Sequence, residues 1–185
     1  MHSSLSLTVD CGHSLQLVTC FRYLHGRYRH QVELRDTDGA LLDHWEDDFD
    51  SREENWPSAP PIQQLSRETV QGRDVLLGVG QAGAAHWSIS VETIEHDDGG
   101  SLKFDLACRC RTLPTWLGST YRSLSSDTSD GPRLSIASSV PRGNSASALC
   151  IPCELSAGDT RKYPTTFQWT YQITYEKNPP SRKLP

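Results

Sequence analysis

The residues of this chain that could form an acid–base unit are His86 and Glu92, on either side of Trp87 in the segment His86-Trp87-Ser88-Ile89-Ser90-Val91-Glu92. A histidine with a carboxylate is the smallest such unit, since one group can hold the proton that the other releases. The alternation of Trp87, Ile89 and Val91 with polar residues predicts a strand here. A separation of six then sets His86 and Glu92 on one face, ~20 Å apart at ~3.3 Å per residue. The two cannot touch, so each would need another partner. His86, Trp87 and Glu92 are therefore taken as candidate ligand-binding residues, and an enzyme with a pocket around them is the alternative reading.

Other spacings imitate known chemistry without its setting. Gly78-Val79-Gly80-Gln81-Ala82-Gly83 has the spacing of a dinucleotide-binding fingerprint. That motif needs a helix beginning at its last glycine, whose amides hold the pyrophosphate. The residues that follow favour a strand, so the glycines are read as a hairpin connection with room for close backbone approach. Gly143-Asn144-Ser145-Ala146-Ser147 approaches a nucleophile elbow, but Ser147 stands where the second glycine belongs.

Cysteines offer two further sites. Cys150-Ile151-Pro152-Cys153 lacks the helix that would activate a redox thiol. Joined to Cys108 and Cys110, it would supply four thiolates for a structural zinc. Cys108 and Cys110 have one residue between them, where zinc sites prefer two to four. Small buried thiols are the expected reading, with no metal and no cofactor. Cys11, His13, Cys20 and His25 fit no metal template.

Charge narrows the partners. The chain has 185 residues and a net charge of -5, from 23 acids against 18 bases. Binding to nucleic acid scales with Lys and Arg contacts to phosphate, so a nucleic-acid partner is not expected. The basic, aromatic stretch Arg22-Tyr23-Leu24-His25-Gly26-Arg27-Tyr28-Arg29-His30 could stack on a single strand. It could equally face the acidic residues 43–54, within the chain or in a homo-oligomer. Those acids are expected to form a solvated loop or exposed edge. A calcium loop on Asp47, Asp48 and Asp50 would need a glycine at its tight turn, and none is there.

No apolar run approaches the ~18 residues that cross a bilayer. The first residues lack a basic region followed by an apolar core, so a cytoplasmic location with reduced thiols is expected. Apolar residues at 36%, with five Trp, six Tyr and four Phe, suffice for a globular core.

Strand patterns dominate the rest of the chain. Leu15, Leu17, Thr19, Phe21 and Tyr23 alternate, then Tyr28, His30, Val32 and Leu34, with His25-Gly26 as the turn between them. Leu41 and Trp45 begin a third strand after the turn at Asp38-Gly39. Leu102, Phe104, Leu106, Cys108 and Cys110 alternate strictly, as do Phe167, Trp169, Tyr171, Ile173 and Tyr175. Weaker strands are expected near Leu134-Ser135-Ile136 and Leu149-Cys150-Ile151. One short helix is expected at about residues 61–71, with Pro61 at its first position, Ile62, Leu65 and Thr69 on one face, and Gly72 as its stop. The expectation is an all-β, mainly antiparallel sandwich or closed barrel of about eight strands. Residues 1–177 would form one domain and 178–185 a flexible tail. Such a domain is read as non-catalytic, binding a protein partner or small ligand through a concave face or its long loops.

Overall fold

A computed structural model describes residues 4–48, 55–97, 99–124, 131–137, 143–145, 148–153, 155 and 162–177. The expected tail at 178–185 and Ser147 of the elbow-like motif lie outside the described residues.

Thirteen strands occur among the described residues: β1 (Ser4–Gly12), β2 (Leu15–Leu24), β3 (Arg27–Asp36), β4 (Leu41–Asp47), β5 (Ile62–Val70), β6 (Arg73–Ala82), β7 (Ala85–His96), β8 (Gly99–Cys110), β9 (Gly118–Ser123), β10 (Arg133–Ala137), β11 (Gly143–Ser145), β12 (Ala148–Pro152) and β13 (Thr165–Glu176). They form two antiparallel sheets, in the orders β1-β2-β3-β4-β9-β12-β11 and β10-β13-β8-β7-β6-β5. Neither sheet closes on itself, so the fold is a sandwich and not a barrel. Two meanders, β1 to β4 and β5 to β8, build most of it. The chain then returns to β4 through β9 and to β8 through β13.

Period-two patterning explains why the sheets face each other. Leu17, Phe21, Val32 and Leu34 point inward from one sheet, and Trp87, Val91, Leu102, Phe104, Trp169 and Tyr171 from the other. Burying one face of each sheet against the other removes both apolar surfaces from water. The alternation expected for β7, β8 and β13 is present residue by residue.

No helix forms at residues 61–71. This segment is β5, the edge strand, paired with β6 through Ile62↔Gly80, Leu65↔Gly78 and Val70↔Arg73. The register shifts between Ile62 and Gln64, so an extra residue sits in the strand as a bulge. That extra residue puts Ile62 and Leu65 opposite two inward glycines, on one face at a spacing of three, which imitates a helical turn. Gly72 ends no helix either. Gln71 and Gly72 have φ of 52° and 79°, the left-handed pair of a two-residue hairpin turn.

Residues 43–54 are not simply a solvated segment. Asp43 and Asp47 point inward from β4, each 4% exposed. Asp43 accepts the backbone N–H of Leu134 at 2.7 Å and that of His44 at 2.8 Å. Asp47 accepts Arg29 Nε at 2.5 Å. Asp48 pairs with Arg122 at 3.0 Å, while Asp50 lies outside the described residues. The basic hairpin thus meets the acidic segment inside one chain.

Candidate functional site

His86 and Arg109 are direct neighbours across β7 and β8, and Arg109 is in turn opposite Thr166 on β13. All three side chains are exposed on the outward face of the six-stranded sheet. One hollow of about 450 Å³ there is lined by residues including Gln63, Val79, Gln81, His86, Ser88 and Arg109. A second, of about 670 Å³, is lined by His86, Arg109, Arg111, Tyr163 and Pro164. His86 and Arg109 belong to both, so the hollows adjoin at these two residues and are treated together as one depression.

The bulge and the glycines shape this end. A Cβ on Gly80 would stand 1.8 Å from the carbonyl oxygen of Pro61, and one on Gly78 would stand 2.7 Å from the side chains of Ile62 and Ile89. Gly78 and Gly80 therefore let β5 lie close against β6. They cradle protein backbone and side chains, with β7 following where a nucleotide motif requires a helix.

The three candidate residues do not converge. Trp87 points into the core, 2% exposed, with its ring edge-on to Trp169 at 5.9 Å. Its indole N–H has no partner among the described residues. Glu92 shares the outward face with His86 but is committed to Lys103, whose Nζ lies 3.0 Å from Glu92 and 2.8 Å from Asp105. Hydrogen bonds to Asp105 and then Glu92 raise the Lys103 pKa and keep the amine charged. Trp87 lines the first hollow as well, but its ring is buried in the core, so of the three His86 alone presents its side chain outward there.

A second constellation lies inside the sandwich. His30 Nε2 is 2.8 Å from the Tyr121 hydroxyl, which is 2.7 Å from the Tyr171 hydroxyl. His30 Nδ1 faces Asp47 Oδ2 at 3.7 Å. Burial lowers the His30 pKa and outweighs the opposing pull of Asp47, while Arg29 pushes the same way as burial. The imidazole is therefore neutral. Burial likewise raises the pKa of both tyrosines. An Asp-His-Tyr chain has the groups of a proton relay, yet none of its members lines the outward depression. It satisfies buried polar groups and reads as structural. Its signal in the sequence is His30 in the inward phase of β3, where a buried imidazole must find a partner.

Cys108 and Cys110 place their sulfurs 3.5 Å apart in the core. Burial raises both thiol pKa values, and the neighbouring thiols Cys110 and Cys153 raise that of Cys108 further. Cys150 instead accepts the Thr120 hydroxyl at 3.8 Å. No group of three or more His, Cys, Asp or Glu side chains among the described residues is arranged to hold a metal ion. Cys11 donates to the Gly100 carbonyl at 3.5 Å, and His13 meets Lys177 at 2.6 Å.

Fold and site together define an antiparallel β-sandwich with a depression on one outer face. No family model, curated protein or solved structure matches the chain. No helix among the described residues is long and apolar enough to cross a membrane.

Proposed function

We propose that this chain is a non-catalytic binding domain that holds a small ligand in the depression centred on His86 and Arg109. The carrying observation is that two adjoining hollows share these two residues. Their volumes fall within the ~300–1,000 Å³ usual for small-molecule sites. Main-chain pairing on both sides of β7 and β8 fixes the backbone at His86 and Arg109, as a preformed site requires.

The enzyme alternative needs His86, Trp87 and Glu92 to act at one point. Strand geometry sends Trp87 to the opposite face, and Glu92 is already paired with Lys103. These two observations favour binding over catalysis. Cys108 and Cys110 hold their sulfurs 3.5 Å apart as thiols, an arrangement that suits a reducing compartment such as the cytoplasm.

Amide spectra recorded against a fragment collection test this reading. Ligands that bind should perturb residues 79–88 and 107–111 together. Hits that consistently perturb another surface and leave His86 and Arg109 unmoved would overturn it.

A further inference from the structure

Outward-facing charge is unevenly distributed on the six-stranded sheet. Towards its middle, Lys103 is shared between Glu92 and Asp105, and Asp105 also accepts the Thr170 hydroxyl at 2.6 Å. At the depression the balance reverses. Arg109 and Arg111 are exposed, line the second hollow with His86, and form no ion pair or hydrogen bond among the described residues. Lys162 precedes Tyr163 at the same end and is also exposed. Among the described residues no carboxylate lines either hollow. In a chain of net charge -5, this is a local excess of positive charge within a concave surface.

We infer that the ligand is a small molecule bearing an oxyanion, a carboxylate or a phosphate, held by Arg109 and Arg111 beside His86. The inference rests on the binding site proposed above and names the chemical class of its occupant. A guanidinium presents a planar fork of N–H donors that matches two oxygens of a carboxylate or phosphate. Arg109 and Arg111 both line the second hollow, so they can approach one anion together. Thr166, opposite Arg109, adds a hydroxyl, and Gln81, opposite His86, adds an amide whose NH2 also donates to the Gly83 carbonyl at 2.9 Å. Such groups suit a polar ligand body. A long polyanion would instead need positive charge extended along the face, where Glu92, Asp105 and Lys103 together carry a net negative charge.

The test is an amide-detected titration at constant ionic strength with succinate, inorganic phosphate and uncharged succinamide. Succinate or phosphate should give saturable shifts at His86, Arg109 and Arg111, and the stronger of the two identifies the oxyanion. Succinamide should bind about tenfold or more weakly. The double variant Arg109→Gln/Arg111→Gln should lose the anion shifts while keeping a native spectrum, and Lys103→Gln should retain them. Equal shifts with succinamide, or retained affinity in the double variant, would overturn the anionic assignment and leave the binding site standing. No shift at these residues with any probe would overturn both. A short single-stranded oligonucleotide that bound here more tightly than either anion would replace the small ligand with a nucleic acid.

Discussion

Tyr121 and Tyr171 bring their hydroxyl groups to 2.7 Å across the interior, one from β9 of the seven-stranded sheet and the other from β13 of the six-stranded sheet. This contact joins the two layers by a directional bond, where most of the interface is non-directional apolar packing. Phe104 stacks on Tyr171 at 5.0 Å, and Phe21 stacks on His30 at 5.0 Å. The polar chain is thereby enclosed between aromatic rings.

Tyr171→Phe should cost about 1–2 kcal/mol, since it removes the buried contacts of this hydroxyl with Tyr121 and Ser119 and leaves Tyr121 bonded to His30. Tyr121→Phe should cost more, because it deprives both His30 and Tyr171 of a partner. The double variant should cost less than the sum of the singles, as expected for residues in one network. Urea titration of the four proteins measures the coupling. Strict additivity would show that the hydroxyls do not interact.

His30 makes the stability depend on pH. Its imidazole faces Asp47, Arg29, Tyr121 and the rings of Phe21 and Phe104. Its folded pKa lies below the ordinary value of about 6.5, with burial as the first cause. As pH falls below about 6.5, the unfolded chain takes up a proton that the folded chain refuses. Stability therefore falls with falling pH, by at most about 1.4 kcal/mol per pH unit from this group, until the folded pKa is reached. Urea midpoints at pH 7.5 and 5.5 should show the loss, and His30→Gln should reduce the difference. An unchanged difference in His30→Gln would assign the effect to other groups.

Gly80→Ala should be severely destabilising, about 3 kcal/mol or more. Its Cβ would meet the Pro61 carbonyl, part of the backbone leading into β5. Nothing flexible can yield there, so β5 must move away from β6. Gly131→Ala is the control, since a Cβ at that position meets no described residue within 4 Å, and it should change stability by under ~0.5 kcal/mol. Thermal melts of the two variants make the comparison.

These glycines also show where the sequence was legible and where it was not. Strands β7, β8 and β13 alternate through residues 87–91, 102–110 and 167–173, so the inward faces of these stretches follow from period two alone. Strand β5 carries a bulge, and one extra residue converts a strand pattern into a helical one. The inward orientation of Asp43 and Asp47 depends on the Leu134 N–H of β10 and on Arg29 of β3. Those partners are remote in sequence, and composition argued for exposed acids. The candidate site was legible in part for the same reason. His86 lies in a segment that periodicity reads correctly, whereas Arg109 becomes its neighbour only through the β7–β8 register. Trp87 drew attention by type, but its odd position in the strand assigns it to the core.

The final strand offers the sharpest test of inside and outside. Trp169 is 5% exposed, donates its indole N–H to Ser119 Oγ at 3.3 Å and meets Trp87 edge-on. Trp169→Ala would remove the side chain, open a cavity beside Trp87 and leave the Ser119 hydroxyl without that donor. Such truncations typically cost ~3–5 kcal/mol, a large part of the ~5–15 kcal/mol that holds a domain folded. Thr170, the next residue, is exposed, and its hydroxyl donates to Asp105 at 2.6 Å on the wet face. Water can replace that bond, so Thr170→Ala should cost under ~1 kcal/mol. Denaturant titrations should separate the two by several kcal/mol. Equal losses would mean that something covers the outward face at Thr170, and the depression around His86 and Arg109 on that same face would then be closed to a ligand as well.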